Sequence, residues 1–169
     1  MGKRSLRVLL ASVLAIAALL LGQSVALGGS GPSVRGGGVV GGPLGVTSQL
    51  GFTATSAGGS FLCVMAGRSG GFAFPGWASV SQMEVQGRVT PGTLVPSGAG
   101  ATFSGMATIR IVGKTAAGDI LTATLTGVPF DSWQTAGGAG VARHTLVVNH
   151  GELVIGPALL SAGRITITP

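Results

Sequence analysis

The feature that most constrains the fold is an alternation of apolar and polar residues that recurs through the middle of the chain. Residues 101–112, ATFSGMATIRIV, place one phenylalanine and two isoleucines on one side and threonine, serine and arginine on the other. Residues 82–89 and 120–127 alternate in the same way, and the second of these carries three threonines on its polar side. A period of two with threonine on the wet side is typical of half-buried antiparallel strands.

Two turns connect such strands into hairpins. GKTAAGD, residues 113–119, lies between two alternating segments and predicts a tight connection between them. In LVVNHGELVI, a turn centred on His150 and Gly151 places Val148 opposite Leu153. This register keeps the apolar side chains of both strands on one face, and a slip of one residue would scatter them.

Three further apolar segments complete the set of predicted strands: SQLGFTA, SFLCVMA and, at the end, RITIT. The two isoleucines of RITIT are expected to point inward. No segment after the predicted signal shows a helical period over ten residues. We therefore predict an all-β domain over residues 46–169, either a single antiparallel β-sandwich or a small β-barrel of about eight strands.

The first 26 residues have the composition of a secretory signal peptide. Lys3, Arg4 and Arg7 precede the apolar run VLLASVLAIAALLL, and SVA then supplies the small residues that a signal peptidase reads. A membrane-spanning helix needs about 20 apolar residues, so this run is short for an anchor. We predict a cleaved signal over residues 1–26, no membrane span after cleavage, and a location outside the cell or in the cell envelope.

Residues 27–45 are dominated by glycine. The stretch GGSGPSVRGGGVVGGPLG contains nine glycines and two prolines. Glycine loses the most conformational freedom on folding, so the segment is expected to remain a flexible linker ahead of the domain.

Charge narrows the class of partner. The whole chain has a formal net charge of +6, and removal of the predicted signal takes three basic residues and leaves +3. The remaining charges are scattered and form no basic stripe interleaved with aromatic residues, so we predict no nucleic-acid partner. The excess of arginine over lysine, with abundant glycine and alanine, is typical of a GC-rich bacterial genome.

Catalytic motifs are present only in fragments. GRSGG around Ser69 matches the G-x-S-x-G pattern of a serine nucleophile, but the segment after it cannot begin the helix which that motif needs. The four acidic residues of the predicted domain, Glu84, Asp119, Asp131 and Glu152, form no obvious pair. We therefore predict that the domain is not an enzyme. A small secreted hydrolase using Ser69 or the acidic residues is the alternative.

The single cysteine and the histidines also indicate structural roles. Cys63 lies in SFLCVMA, a segment apolar on both sides, which predicts a central strand covered on both faces and a buried thiol. An intermolecular disulfide or a reactive thiol is the alternative. His144 and His150 lie too far apart along their hairpin to share one ion, so we predict no metal and no cofactor.

Aromatic residues concentrate in two segments that are predicted to be loops, GFAFPGW and PFDSWQTAGG. Rings on loops of a rigid scaffold can stack on sugars or contact a partner; alternatively, they fold inward and close the ends of the domain. Three predicted strands separate the loops and place them at opposite ends, unless residues 93–96 form a further strand. The predicted ligand-binding residues are Phe74, Trp77, Phe130, Asp131, Trp133 and Gln134.

These observations favour a non-enzymatic secreted domain that acts by surface contact. One version binds cell-wall polysaccharide or another envelope protein, and the other is a structural or self-associating component. The sequence leaves the ligand open.

Overall fold

The computed structural model describes residues 31–41, 47–66, 77–151 and 153–169 of the protein. The predicted signal peptide, the remainder of the predicted linker, and Ser69, Phe74 and Glu152 lie outside the described residues. Residues 31–169 form one compact unit.

Ten strands follow one another along the described part of the chain. They are β1 (Ser33–Gly41), β2 (Thr47–Thr55), β3 (Gly58–Ala66), β4 (Ser79–Val89), β5 (Val95–Ser97), β6 (Gly100–Lys114), β7 (Ile120–Thr135), β8 (Gly137–Gly138), β9 (Arg143–Val148) and β10 (Leu153–Thr168). One 3-10 turn, Asn149–Gly151, connects β9 to β10. The described part of the chain is therefore all-β, as predicted.

Eight of these strands form a closed antiparallel barrel. Their order is β1-β2-β3-β4-β6-β7-β9-β10, and β10 returns to pair with β1. The short strands β5 and β8 add to β6 and β10 respectively. Of the two predicted architectures the barrel is confirmed, and the sandwich is wrong because the sheet closes on itself.

Strand β1 lies within the segment 27–45 that was predicted to be a flexible linker. All of Ser33–Gly41 pairs with β2, and all but its last residue also pairs with β10. Val34 is buried in the barrel. A Cβ on Gly36 would lie only 2.8 Å from the carbonyl oxygen of Arg164, so the neighbouring strand leaves no room for a side chain there. The glycines of β1 allow the neighbouring strands to approach closely, and they do not make the segment flexible. The barrel therefore begins well before residue 46.

Side chains from all eight barrel strands fill the interior. Examples, one from each strand in barrel order, are Val34, Phe52, Phe61, Val85, Phe103, Phe130, Leu146 and Ile165, all buried. The four phenylalanines form one cluster, with neighbouring ring centroids 5.2 to 6.4 Å apart. An eight-stranded barrel is just wide enough to be filled in this way. The interior is a packed core, so any binding site is expected on the outer surface or at the ends.

The ring of Phe130 fits into this core because two neighbouring strands carry glycine beneath it. A Cβ on Gly87 would lie 2.6 Å from Cε1 of Phe130, and a Cβ on Gly105 would lie 2.9 Å from the same atom. Glycine inside a strand often marks such a close approach. The large ring of Phe130 therefore occupies the space that Gly87 and Gly105 leave free.

Both predicted hairpins are present. GKTAAGD connects β6 to β7, and Val148 lies opposite Leu153 across the β9–β10 turn, as predicted. Ile165 is buried and Ile167 packs against the core, which confirms the inward face of RITIT. RITIT is not a separate strand, however, because it continues β10 without interruption from Leu153.

Cys63 is fully buried, as predicted, and burial raises the pKa of its thiol to about 12. The prediction that its strand is covered on both faces is wrong. Leu62, which points outward from the same strand, is 41% exposed, because the barrel covers only its inner face.

Candidate binding groove on the outer face of the barrel

Strand β7 carries four of the six predicted binding residues. The prediction of a loop here is wrong, because β7 continues to Thr135 between β6 and β9. Strand alternation then separates the four residues. Phe130 and Gln134 are buried inside the barrel, whereas Asp131 is exposed and Trp133 is 38% exposed on the outer face.

Trp77, a fifth predicted residue, is distant from this outer face. It packs against the core, and a Cβ on Gly113 would lie 2.7 Å from its Cε3 atom. Trp133 lies opposite Thr102 at the other end of β6. The eleven positions from Thr102 to Gly113 span about 36 Å of extended strand. Strand β5 runs antiparallel to β6, as β4 does. The additional strand therefore does not bring Trp77 and Trp133 to the same end of the barrel. The two tryptophans therefore cannot form one platform.

Asp131 and Trp133 line a groove of about 250 Å³ on the outer surface of β6, β7 and β9. The strand register arranges its outward side chains in two rows across the three strands. The first row is Thr102, Trp133 and Thr145, and the second is Ser104, Asp131 and Val147. Complete small-molecule pockets enclose roughly 300 to 1,000 Å³, so this groove suits one ring of a longer ligand rather than a whole small molecule.

Thr93 closes one side of the groove and is held firmly against β6. Its hydroxyl lies 2.7 Å from the carbonyl oxygen of Thr90 and 2.9 Å from that of Ser104. The hydroxyl oxygen of Thr93 also accepts a hydrogen bond from the backbone N–H of Ser104 at 3.2 Å. These contacts fix the segment before β5 in place, so the groove wall is set in advance of any ligand.

A buried polar chain lies on the inner side of the same strands. His144 Nδ1 lies 2.8 Å from Gln134 Oε1, the Gln134 amide donates to Ser132 Oγ at 2.5 Å, and Ser132 Oγ donates to the carbonyl oxygen of Thr145 at 3.2 Å. Because Gln134 Oε1 can only accept, His144 must carry its proton on Nδ1. The chain connects β7 to β9 directly beneath the groove, where it supports the backbone of both strands.

The other ring nitrogen of His144 has no such partner. Nε2 is buried without a hydrogen-bond partner among the described residues. The imidazole lies nearly parallel to the rings of Phe52 and Phe61, at centroid distances of 6.3 and 5.9 Å. Burial in these apolar surroundings lowers the pKa of His144 to about 4. The side chain is therefore neutral at physiological pH, and it is not accessible from the groove.

Among the described residues that line the groove, Asp131 is the one carboxylate. Glu84 lies on β4 opposite Arg110, and Asp119 lies in the β6–β7 turn. The described residues include no group of three or more His, Cys, Asp or Glu side chains placed to hold a metal ion. The described part of the groove thus offers an aromatic ring, one carboxylate and several hydroxyls.

Comparison with known proteins does not connect the chain to a family. No protein-family model, no curated protein and no solved structure matches it. In the described ranges, no helix is long and apolar enough to cross a membrane. The class that the fold defines is a closed eight-stranded antiparallel β-barrel with a packed interior.

Proposed function

We propose that the protein is a secreted, non-enzymatic β-barrel domain that acts by surface contact, outside the cell or in the cell envelope, and that its groove binds polysaccharide. The observation that carries the proposal is that a partly exposed indole, Trp133, and the carboxylate of Asp131 lie on the outer face of β7 and line one groove. The composition of residues 1–26 supports export.

The volume of the groove suits one sugar ring, and its lining residues offer the chemical groups that such a ring needs. The C–H face of a pyranose stacks on an indole, while its hydroxyls need hydrogen-bonding groups at the ring edge. Asp131 supplies an acceptor, and Thr102 and Thr145 flank Trp133 with hydroxyls. A site that contacts one ring binds weakly, and a polymer of repeating sugars offers it many equivalent rings.

The proposal that the domain is not an enzyme rests on the single carboxylate of Asp131 in the described groove. Glycoside cleavage generally uses two carboxyl groups across the scissile bond, about 5 to 10 Å apart. Asp131 is the one acidic residue that lines the described groove. A single carboxylate beside a tryptophan is sufficient for binding and insufficient for that reaction.

Trp133→Ala is expected to weaken binding to polysaccharide or cell-wall preparations about fivefold, because one aromatic stacking contact contributes roughly 1 kcal/mol. Asp131→Asn, which keeps the shape of the side chain, is expected to give a smaller loss. Sedimentation with the insoluble polymers measures both. Leu62→Ala is the matched control, since Leu62 is similarly exposed on the distant strand β3. Equal binding by Trp133→Ala and the control, or no binding to any polymer by the unmodified protein, would contradict the proposal.

A further inference from the structure

Strand β7 has a free edge between Ile120 and Val128. Strand β6 pairs along nearly the whole of β7, whereas β9 pairs with it only from Phe130 to Gln134. Within the described ranges, no strand covers the other side of residues 120–128. Their outward-directed N–H and C=O groups therefore form a template on which another strand can pair.

This free edge lacks the usual protection against pairing. Natural edge strands are blunted by charged residues, by proline or by an early bulge. ILTATLTGV, residues 120–128, contains neither charge nor proline. Ile120, Leu121 and Leu125 are 73%, 37% and 46% exposed. The bulge comes only at the far end, at Gly127, where φ is +67° and the register with β6 shifts.

We propose that the free edge of β7 pairs antiparallel with the same edge of a second copy of this chain, about a two-fold axis that passes midway between the two Thr124 residues. In this register Thr124 faces its own symmetry mate, Ala123 faces Leu125, and Thr122 faces Thr126. Every pair joins residues of the same parity, so the apolar face continues across the junction and so does the threonine face.

Two features of the edge favour a second copy over a different partner. The segment is uncharged, so self-pairing brings no like charges together, and it offers a foreign strand no charge to recognise. The free edge is also bounded by the β6–β7 turn at one end and by β9 at the other. Two copies related by the axis therefore oppose each other between these two limits, with the regular pairs lying around Thr124, ahead of the bulge at Gly127.

The contact is small. Two short strand edges are expected to bury less than the roughly 1,200 Å² that stable complexes bury. The dimer is therefore expected to be reversible and concentration-dependent. It goes beyond the proposed polysaccharide binding, because it needs neither the groove nor a ligand.

Thr124→Lys tests the register directly, since it places two ammonium groups opposite each other on the axis. Gln86→Lys is the matched control: Gln86 is likewise exposed and outward-facing, but it lies on β4 between two paired strands. Sedimentation velocity over about 1 µM to 1 mM is expected to show dimer in the unmodified protein and in Gln86→Lys, with a dissociation constant at least tenfold higher for Thr124→Lys. Monomer at every concentration in the unmodified protein, or equal dimerisation of the two variants, would overturn the proposal.

Thr124→Cys provides a second test, which detects the formation of a covalent dimer rather than the loss of a dimer. Residues that face each other across the axis are close enough for a disulfide, so mild oxidation is expected to give a covalent dimer. Gln86→Cys should stay monomeric under the same conditions. The buried thiol of Cys63 cannot compete. Absence of the Thr124→Cys dimer, or equal cross-linking of both variants, would exclude this register.

Discussion

A chain that begins at Val46 is expected to lose the cooperative fold, whereas one that begins at Gly31 is expected to keep it. Strand β1 is paired on both sides, with β2 and β10, and it contributes buried side chains such as Val34. Each lost backbone hydrogen bond removes about 0.5 to 1.5 kcal/mol. Because β1 takes part in two full ladders, its loss rivals the roughly 5 to 15 kcal/mol that stabilises a typical domain.

Denaturant unfolding followed by near-ultraviolet circular dichroism distinguishes the two chains. The chain from Gly31 should unfold in one sharp transition, and the chain from Val46 should show no transition and bind a hydrophobic dye. If the two chains unfolded at the same denaturant concentration with the same slope, β1 would not be part of the barrel and the closure would be wrong.

The free energy of unfolding is expected to fall by about 3 kcal/mol as the pH is lowered from about 7 to below about 4, through the protonation of His144. Burial lowers the pKa of His144 from 6.5 to about 4 in the native protein. The unfolded chain therefore binds a proton near pH 6.5, whereas the native state resists until about pH 4. Stability from this residue is complete above pH 6.5 and is lost progressively as the pH falls through that window.

Urea unfolding at several pH values measures this loss, and His144→Leu is the decisive variant. It should be less stable at neutral pH by about 1 to 3 kcal/mol, since Gln134 Oε1 loses its donor. Its stability should also vary much less between pH 6.5 and 4. His150→Gln is the control, because His150 is exposed at the β9–β10 turn. An unchanged pH dependence in His144→Leu would show that another group controls the acid sensitivity.

Most of the long strands and both hairpins could be predicted from local pattern alone. Across the β9–β10 turn only one register keeps the apolar residues together, so Val148 and Leu153 could be paired correctly. Strand β1 could not be found in this way. Gly36 and its neighbours have the composition of a linker, and the reason for glycine there is the backbone of Arg164, far away in the sequence. Closure of the barrel depends on pairing between β1 and β10, which lie far apart in the sequence, and composition does not predict such pairing.

The candidate site could be predicted only in part, because strand register brings several of its residues together. Asp131 and Trp133 were identified from their residue types, and the structure places both on the outer face. Their neighbours Ser132 and Gln134 are polar yet buried, because they join His144 in one hydrogen-bonded chain. Polar residues on both faces hide the alternation of a strand, so the segment resembled a loop. The threonines around Trp133 were missed because only strand register brings them there.

The central claim, that the surface around Trp133 binds polysaccharide, is tested most directly by the fluorescence of the Trp77→Phe protein, in which Trp133 is the remaining tryptophan. A half-exposed indole should emit at long wavelength and be quenched by iodide. Titration with soluble polysaccharide or cell-wall fragments should move the emission to shorter wavelength and protect it from the quencher. Emission that stays long and quenchable with every polymer would contradict the account and leave the groove without a carbohydrate ligand.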